Sequence, residues 1–397
     1  MPPLRIWGIT RRKAGRKGGD KVKLGDVCRI KNLIKERKGK TMKQGTITIA
    51  EIKEKIDLRA SSKQDKIVST KDLTYYPPPE DPSLWDNTRS SLGIRGDTSY
   101  LLTNLAERQI GDRIGIPPHY FRRMQLHAPE LLADNINHWL ADKPEQRMLR
   151  TVGGRCRAFL SNRYKPLDHD KLISVVLPEL EASDHTIISS ALTERRLYIK
   201  TISPQIKGEI KPGDSIQGGL CISNSEVGCG ALRVDMLMYR MVCANGLIIP
   251  RPEYGAKRFH LGAIHAIPGD ITPSANPDPD FWAGIRGTVQ TALDRTSFDG
   301  LLERFRATTA RKIDNPQRTV NKIAKRWSFT QAEQDIVLKY LLRGDADQYG
   351  LVNAITRTSQ DLDSYDRASR FERIGGELMD MPEDELLPLL DPKYRKN

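Results

Sequence analysis

The sequence predicts an α+β fold: an antiparallel sheet of hairpins with packed helices, followed by an all-helical C-terminal domain. Three observations carry this. Arg147–Val152 and Arg155–Leu160 are short strand-like runs on either side of Gly153-Gly154, a strong two-residue hairpin signal. Gln217–Pro250 is the longest apolar-rich run, and Leu232, Val234, Met236 and Met238 alternate in it with period two. Beyond a proline-rich stretch the period changes, and Phe281, Ile285, Val289 and Leu293 fall on one helical stripe.

Taken in order, residues 1–45 hold 15 Lys/Arg against 3 Asp/Glu, whereas the whole chain of 397 residues carries a net +14. The first 45 residues therefore account for +12 of the excess. They read as a basic, disordered extension, either a phosphate-binding arm or an over-extended start upstream of Met42. An α+β core is expected over 46–266, a Pro-rich linker over 267–279 and a helical domain over 280–397. Within the core, Thr46–Ile56 reads as an edge strand, Lys66–Leu73 as a small helix and Tyr75–Pro79 as an extended linker. Ser99–Ile114, His119–His127 and Pro129–Ala141 read as helices, with Pro117-Pro118 opening the second.

The first hairpin is followed by a helix over Asp168–Leu180. A second hairpin pairs Thr186–Leu192 with Arg196–Ile202. Gln217–Pro250 reads as two strands around a loop at Ser225–Gly230. Its Val, Met and Tyr content and flanking glycines favour strand, although Leu232, Met236, Tyr239 and Cys243 also fit a helical stripe. Downstream, Thr330-Gln-Ala-Glu333 is a capping box, Tyr349–Ser359 and Ser364–Met379 are helices, and the tail 382–397 reads as frayed.

Composition bounds the function. No apolar run reaches the length of a membrane span, and five cysteines without paired spacing point to free thiols in a reducing cytoplasm. No phosphate-cradling GxxxxGK[ST], GxSxG elbow or HExxH occurs, so no catalytic residue, metal ligand set or cofactor is assigned. Glu194, Asp214, Glu226 and Asp235 lie on or beside strands and leave a metal-dependent nuclease as an alternative, without the spacing that would make the case. The helices within Ser99–His127 leave a second alternative, a regulator that binds double-stranded DNA.

Ile222-Ser-Asn-Ser-Glu-Val-Gly-Cys-Gly-Ala-Leu-Arg-Val234 and Tyr239-Arg-Met-Val-Cys-Ala-Asn-Gly246, with Leu160–Leu167 and Tyr349–Arg357, resemble the signature of a phage/plasmid-like family, domain of unknown function 932. The motif residues carried over are Asn224, Ser225, Glu226, Gly228, Arg233, Arg240, Asn245 and Gly246. The resemblance implies a place in mobile elements. More distantly, it is similar to the single-strand annealing proteins of phage recombination. That similarity implies a homo-oligomer on single-stranded DNA, acting in recombination or replication with an exonuclease or replication partner.

The residues themselves favour the same ligand. Strand alternation places Arg155, Arg157 and Phe159 on one face, with Cys156, Ala158 and Leu160 opposite. Arg196, Tyr198 and Lys200 share a face of the second hairpin, and Arg163, Tyr164 and Lys165 extend the first. Cations that track phosphates beside rings that stack on bases suit a single strand. A solvated outer sheet face is the competing reading.

Overall fold

A computed structural model of the chain describes residues 48–78, 89–250, 256–258 and 279–390. Of the linker expected at 267–279, all but Pro279, which begins a helix, lies outside them, as do the end of the tail, 391–397, and the basic extension 1–45.

Helix α1 (Ile49–Ser62) opens the described chain under a Thr48/Glu51 capping box and buries Ile52 and Ile56. Strand β1 (Lys63–Ser69) follows, then a 3-10 turn and β2 (Leu73–Tyr76). The expected strand and small helix are thus exchanged. The capping box and the Ile52/Ile56 spacing outweigh the short alternation read there. Tyr75 and Tyr76 belong to β2, not to a linker.

Strands β3 (Ser91–Ile94) and β4 (Ser99–Leu102) precede helices α2 (Asn104–Ile114), α3 (Pro118–His127) and α4 (Pro129–Asp142). The helix expected from Ser99 starts only after Thr103, whose hydroxyl accepts from the Ala106 N–H. Strands β5 (Gln146–Val152) and β6 (Arg155–Ser161) turn through Gly153 and Gly154, both at positive φ. These strands form a six-stranded sheet in the order β1-β5-β6-β4-β3-β2, antiparallel except for the β4–β6 pair. Helices α2–α4 cover one face through Ile110, Phe121, Leu132 and Ile136.

Helix α5 (His169–Ala182) leads into a second sheet. Its spine is β12 (Asn245–Ile249), β11 (Leu232–Arg240), β10 (Ser215–Asn224), β8 (Leu197–Ile202) and β7 (Thr186–Leu192). Short β9 (Lys207–Glu209) pairs with β10, and β13 (Ala256–Arg258) pairs with Leu232–Val234. The Gln217–Pro250 stretch is therefore strand around the loop the sequence indicates, but as three strands rather than the two expected, because the chain turns again at Met241–Ala244 into β12.

The chain then becomes helical: α6 (Pro279–Thr291), α7 (Arg295–Ala307), α8 (Pro316–Trp327), α9 (Gln331–Arg343), α10 (Gln348–Thr358), α11 (Tyr365–Met379) and α12 (Glu383–Leu390). The expected α+β class with a helical C-terminal region holds. Part of the tail read as frayed is α12, which buries Leu386 and Leu390.

Both faces of the second sheet are covered. Leu197, Ile199, Leu220, Ile222, Val234 and Met236 join one apolar cluster with α1, α5 and the C-terminal helices. Tyr198, Lys200, Cys221, Ser223, Arg233 and Asp235 point the other way, toward α11. Gly376 lets α11 approach closely, because a Cβ there would stand 2.0 Å from the Ile248 carbonyl oxygen.

A candidate anion-binding pocket

Two polar regions flank β10 and β11. The first is a joint between the sheets, made by the loop after β10. The Glu226 carbonyl accepts from Arg150 Nη1 at 2.8 Å and its carboxylate accepts from Arg157 Nη1 at 3.1 Å. The other carboxylate oxygen accepts from the His169 backbone N–H at 2.8 Å. Tyr164 donates its hydroxyl to the Ser225 carbonyl, and Gln109 donates to that of Val227. Arg150 also binds Asp65 through two nitrogens and Asp168 through one, while Lys63 pairs with Asp168 at 2.5 Å. Burial alone would raise the Glu226 carboxyl. The His169 ring and N–H, with Arg157 and Arg150, outweigh it and hold the group at about 2. Burial pushes the His169 ring down to about 4. Arg59 borders this joint, with Nη1 buried and unpartnered.

The second region is a pocket of about 290 Å3 between the sheet and α11. Its floor is a row across three strands, since Ser223 of β10 stands opposite both Tyr198 of β8 and Arg233 of β11. Its side is the β7–β8 turn, which brings Arg195 and Arg196. Its roof is the α11 face Asp366, Ser369, Arg370, Arg373 and Glu377, residues three and four apart and hence on one side of a helix. Arg196 donates to the Cys229 carbonyl beneath Gly230. Gly230 has φ +131, strained for any residue with a side chain, and a Cβ there would stand 1.5 Å from Arg196 Nη2 and displace the guanidinium.

Five arginines line this pocket, against Asp366 and Glu377, with Asp235 just behind. Arg373 donates to Asp235 at 2.7 Å and Arg370 to Glu377 at 2.5 Å. Asp366 is taken by the hydroxyls of Tyr198 and Thr193, at 2.9 and 3.2 Å. Among the described residues, Arg195 and Arg233 have no carboxylate partner. Burial, then repulsion from Arg373, lowers the Arg233 pKa below its usual value. Four buried polar atoms at the wall have no hydrogen-bond partner: Ser223 Oγ, Arg233 Nε, Ser369 Oγ and Arg373 Nη1. Ser223 and Ser369 are 1% and 5% exposed. Buried polar atoms normally find partners, so four unpartnered ones on residues lining one cavity make it a candidate ligand site. The donors are guanidinium and hydroxyl, the set that suits a phosphate.

The residues expected to bind a strand are scattered by this structure. The two hairpins lie in different sheets. In β6 a bulge between the Arg150–Ala158 and Thr151–Cys156 pairs leaves Arg157 as the extra residue. Cys156 and Phe159 consequently share the α2–α4 core, which corrects the expected Arg155/Arg157/Phe159 face. Phe159, Tyr164 and Tyr198 are buried rings, and Lys200 is buried against Glu372, beside the Tyr365 ring. Covering by α2–α4, the joint loop and α11 removes them from solvent. Arg155 and Arg163 are exposed and Lys165 is half-buried, all on the first sheet and its outgoing turn. Only Arg196 and Tyr198 of the nine reach the pocket, where they meet the family-motif residue Arg233.

Other motif residues hold the fold together. Arg240 binds Asp214 through two nitrogens, and Tyr349 donates to the same carboxylate. Asn224 donates to the Leu167 carbonyl and Asn245 to Thr356. Gly228, at φ +76, turns the joint loop, and Gly246 pairs with Tyr239 in the β11–β12 ladder. Asp214, Glu226 and Asp235 are each committed to an arginine, and Glu194 is exposed on the β7–β8 turn. Sequence reasoning missed Arg195, Ser223, Ser369, Arg370 and Arg373. The 366/369/370/373/377 spacing on α11 was the signal for the last three.

The chain is thus an α+β protein with an arginine-rich pocket between its second sheet and a C-terminal helix. Residues 158–265 match the model of a family described as a domain of unknown function, DUF932. That segment holds the pocket's floor and side but not its roof. No curated protein and no solved structure matches the chain.

Proposed function

We propose that the protein binds nucleic acid through its phosphates, with the arginine pocket as the anchor, and that single strands are its preferred form. The observation that carries this is the convergence of five arginines and four unpartnered buried polar atoms on one cavity. The recess is partly enclosed, so a phosphate must turn inward to enter it. A single strand bends to do so at little cost, whereas duplex phosphates are held on a stiff cylinder. Base stacking by Phe159, Tyr164 and Tyr198 forms no part of this reading, because those rings are packed inside. Annealing and self-assembly, which the distant resemblance implies, are proposals that rest on this anchor.

The test is titration of labelled single and double strands with the full chain and with Arg195→Gln and Arg233→Gln. Each variant should weaken single-strand binding. Each should also flatten its salt dependence by roughly 0.7 in log–log slope, the value for one lost single-strand phosphate contact. The basic residues of 1–45 are common to all three proteins and cancel in the comparison. Unchanged affinity and slope in both folded variants would refute the proposal. Complementary strands mixed with the wild-type protein, followed by light scattering, read annealing and assembly directly; a monomer that anneals nothing removes both.

A further inference from the structure

Resting on that nucleic-acid reading, we infer that the pocket is built for a phosphomonoester dianion, the terminal phosphate of a strand or of a nucleotide, rather than for a diester within a strand. Charge is the first argument. The five arginines exceed Asp366, Glu377 and Asp235 by two. Glu194, exposed on the turn, lies outside the lining. A diester brings one negative charge, while a monoester brings about 1.5 to 2 at neutral pH and so fills the deficit.

Geometry is the second argument. A diester has only two non-bridging oxygens, and both bridging oxygens must lead chain out of the site. A monoester has three terminal oxygens and one exit. Here donors stand on three separate walls: Ser223 and Arg233 on the floor, Arg195 and Arg196 at the side, Ser369 and Arg373 on the roof. Floor and roof donors are buried, which suits a group that ends in the pocket better than one that passes through.

The cavity size agrees. At about 290 Å3 it lies near the lower limit of small-ligand sites, enough for a phosphate with part of its sugar and too small for a run of nucleotides.

The test compares one oligonucleotide in three forms, 5′-phosphorylated, 3′-phosphorylated and with both ends hydroxyl, together with a nucleoside monophosphate and inorganic phosphate. The full-length protein is used throughout. At least one phosphorylated form should bind about tenfold or more tightly than the hydroxyl form, the worth of one added charge-assisted contact. Inorganic phosphate should compete for that increment, and Arg233→Gln should abolish it. Arg195→Gln, on an exposed turn, gives the same readout if Arg233→Gln misfolds. A gain with the mononucleotide alone identifies a nucleotide site; a gain with the oligonucleotide identifies a strand-end site. Equal binding of all three strand forms, reduced alike by the variants, overturns the monoester inference and leaves phosphate-backbone binding standing. Binding that neither variant alters overturns both.

Discussion

The joint at Glu226 and the pocket under α11 both gather arginines and carboxylates beside β10 and β11, yet they are balanced differently. At the joint Arg59, Lys63, Arg150 and Arg157 meet Asp65, Asp168, Asp170 and Glu226, four against four. In the pocket five cations meet three anions, and four wall atoms have no hydrogen-bond partner, against Arg59 Nη1 and Asp170 Oδ1 at the joint. Matched charge fastens one part of a fold to another, because removing either partner strands the other in a poorly solvated place. Unmatched charge does not fasten in this way, and under the proposal above a ligand completes it. Seen this way, the family-motif residues divide in two. Glu226, Ser225 and Arg240 serve assembly, and Arg233 is the one the proposal assigns to binding.

That contrast can be broken in order of expected effect. Arg150→Ala leaves Asp65, Asp168 and the Glu226 carbonyl without their shared donor. It should cost about 3–5 kcal/mol in urea unfolding, as for other broken buried pairs. A loss below about 1 kcal/mol would show that the joint does not hold the sheets.

Gly376→Ala pushes a methyl group into the Ile248 carbonyl. It should destabilise by about 1–3 kcal/mol through a shift of α11, and it should weaken phosphate binding at the same time. Stability lost with binding intact would separate the roof from the site.

Acid should act on the joint first. The His169 pKa is depressed to about 4 from 6.5 and that of Glu226 to about 2 from 4.5. For a depressed group the unfolded chain takes up the proton first, so the stabilisation is complete above the unfolded value and is lost as pH falls toward the folded one. Stability should therefore be level above pH 6.5 and decline between 6.5 and 2. Glu226→Gln should flatten the portion below 4.5, and an unaltered profile in that variant would reassign the acid sensitivity.

The smallest effect is expected in the pocket. Arg233→Gln removes a cation repelled by Arg373, so unfolding free energy should change by less than about 1 kcal/mol or rise slightly. A loss as large as that of Arg150→Ala would make the pocket structural.

Much of the fold was legible because it is written locally. Gly153-Gly154, the Thr330/Glu333 capping box and the alternation from Leu232 to Met238 each rest on neighbours in sequence. What failed was the inference from alternation to solvent exposure. Tyr198 and Lys200 do sit opposite Leu197 and Ile199, as read. Their outer face is nonetheless closed by Asp366 and Glu372, some 170 residues on. A polar residue in a strand looks the same whether water or a buried partner meets it. The bulge at Arg157 was invisible for a related reason, since it depends on register with β5. The pocket stayed hidden because Ser223 and Ser369 carry no motif and become informative only when brought together without partners.

The roof has a consequence in time. Arg373 follows Asp235 by 138 residues. At a synthesis rate of roughly 5–20 residues per second, Asp235 and Lys200 emerge roughly 7 to 30 s before the helix that neutralises them. Through that interval the nascent sheet shows a charged, half-finished face, and the pocket does not yet exist. A substitution in α11 that slows its docking would lengthen this exposure and would first be noticed as poor yield from the ribosome.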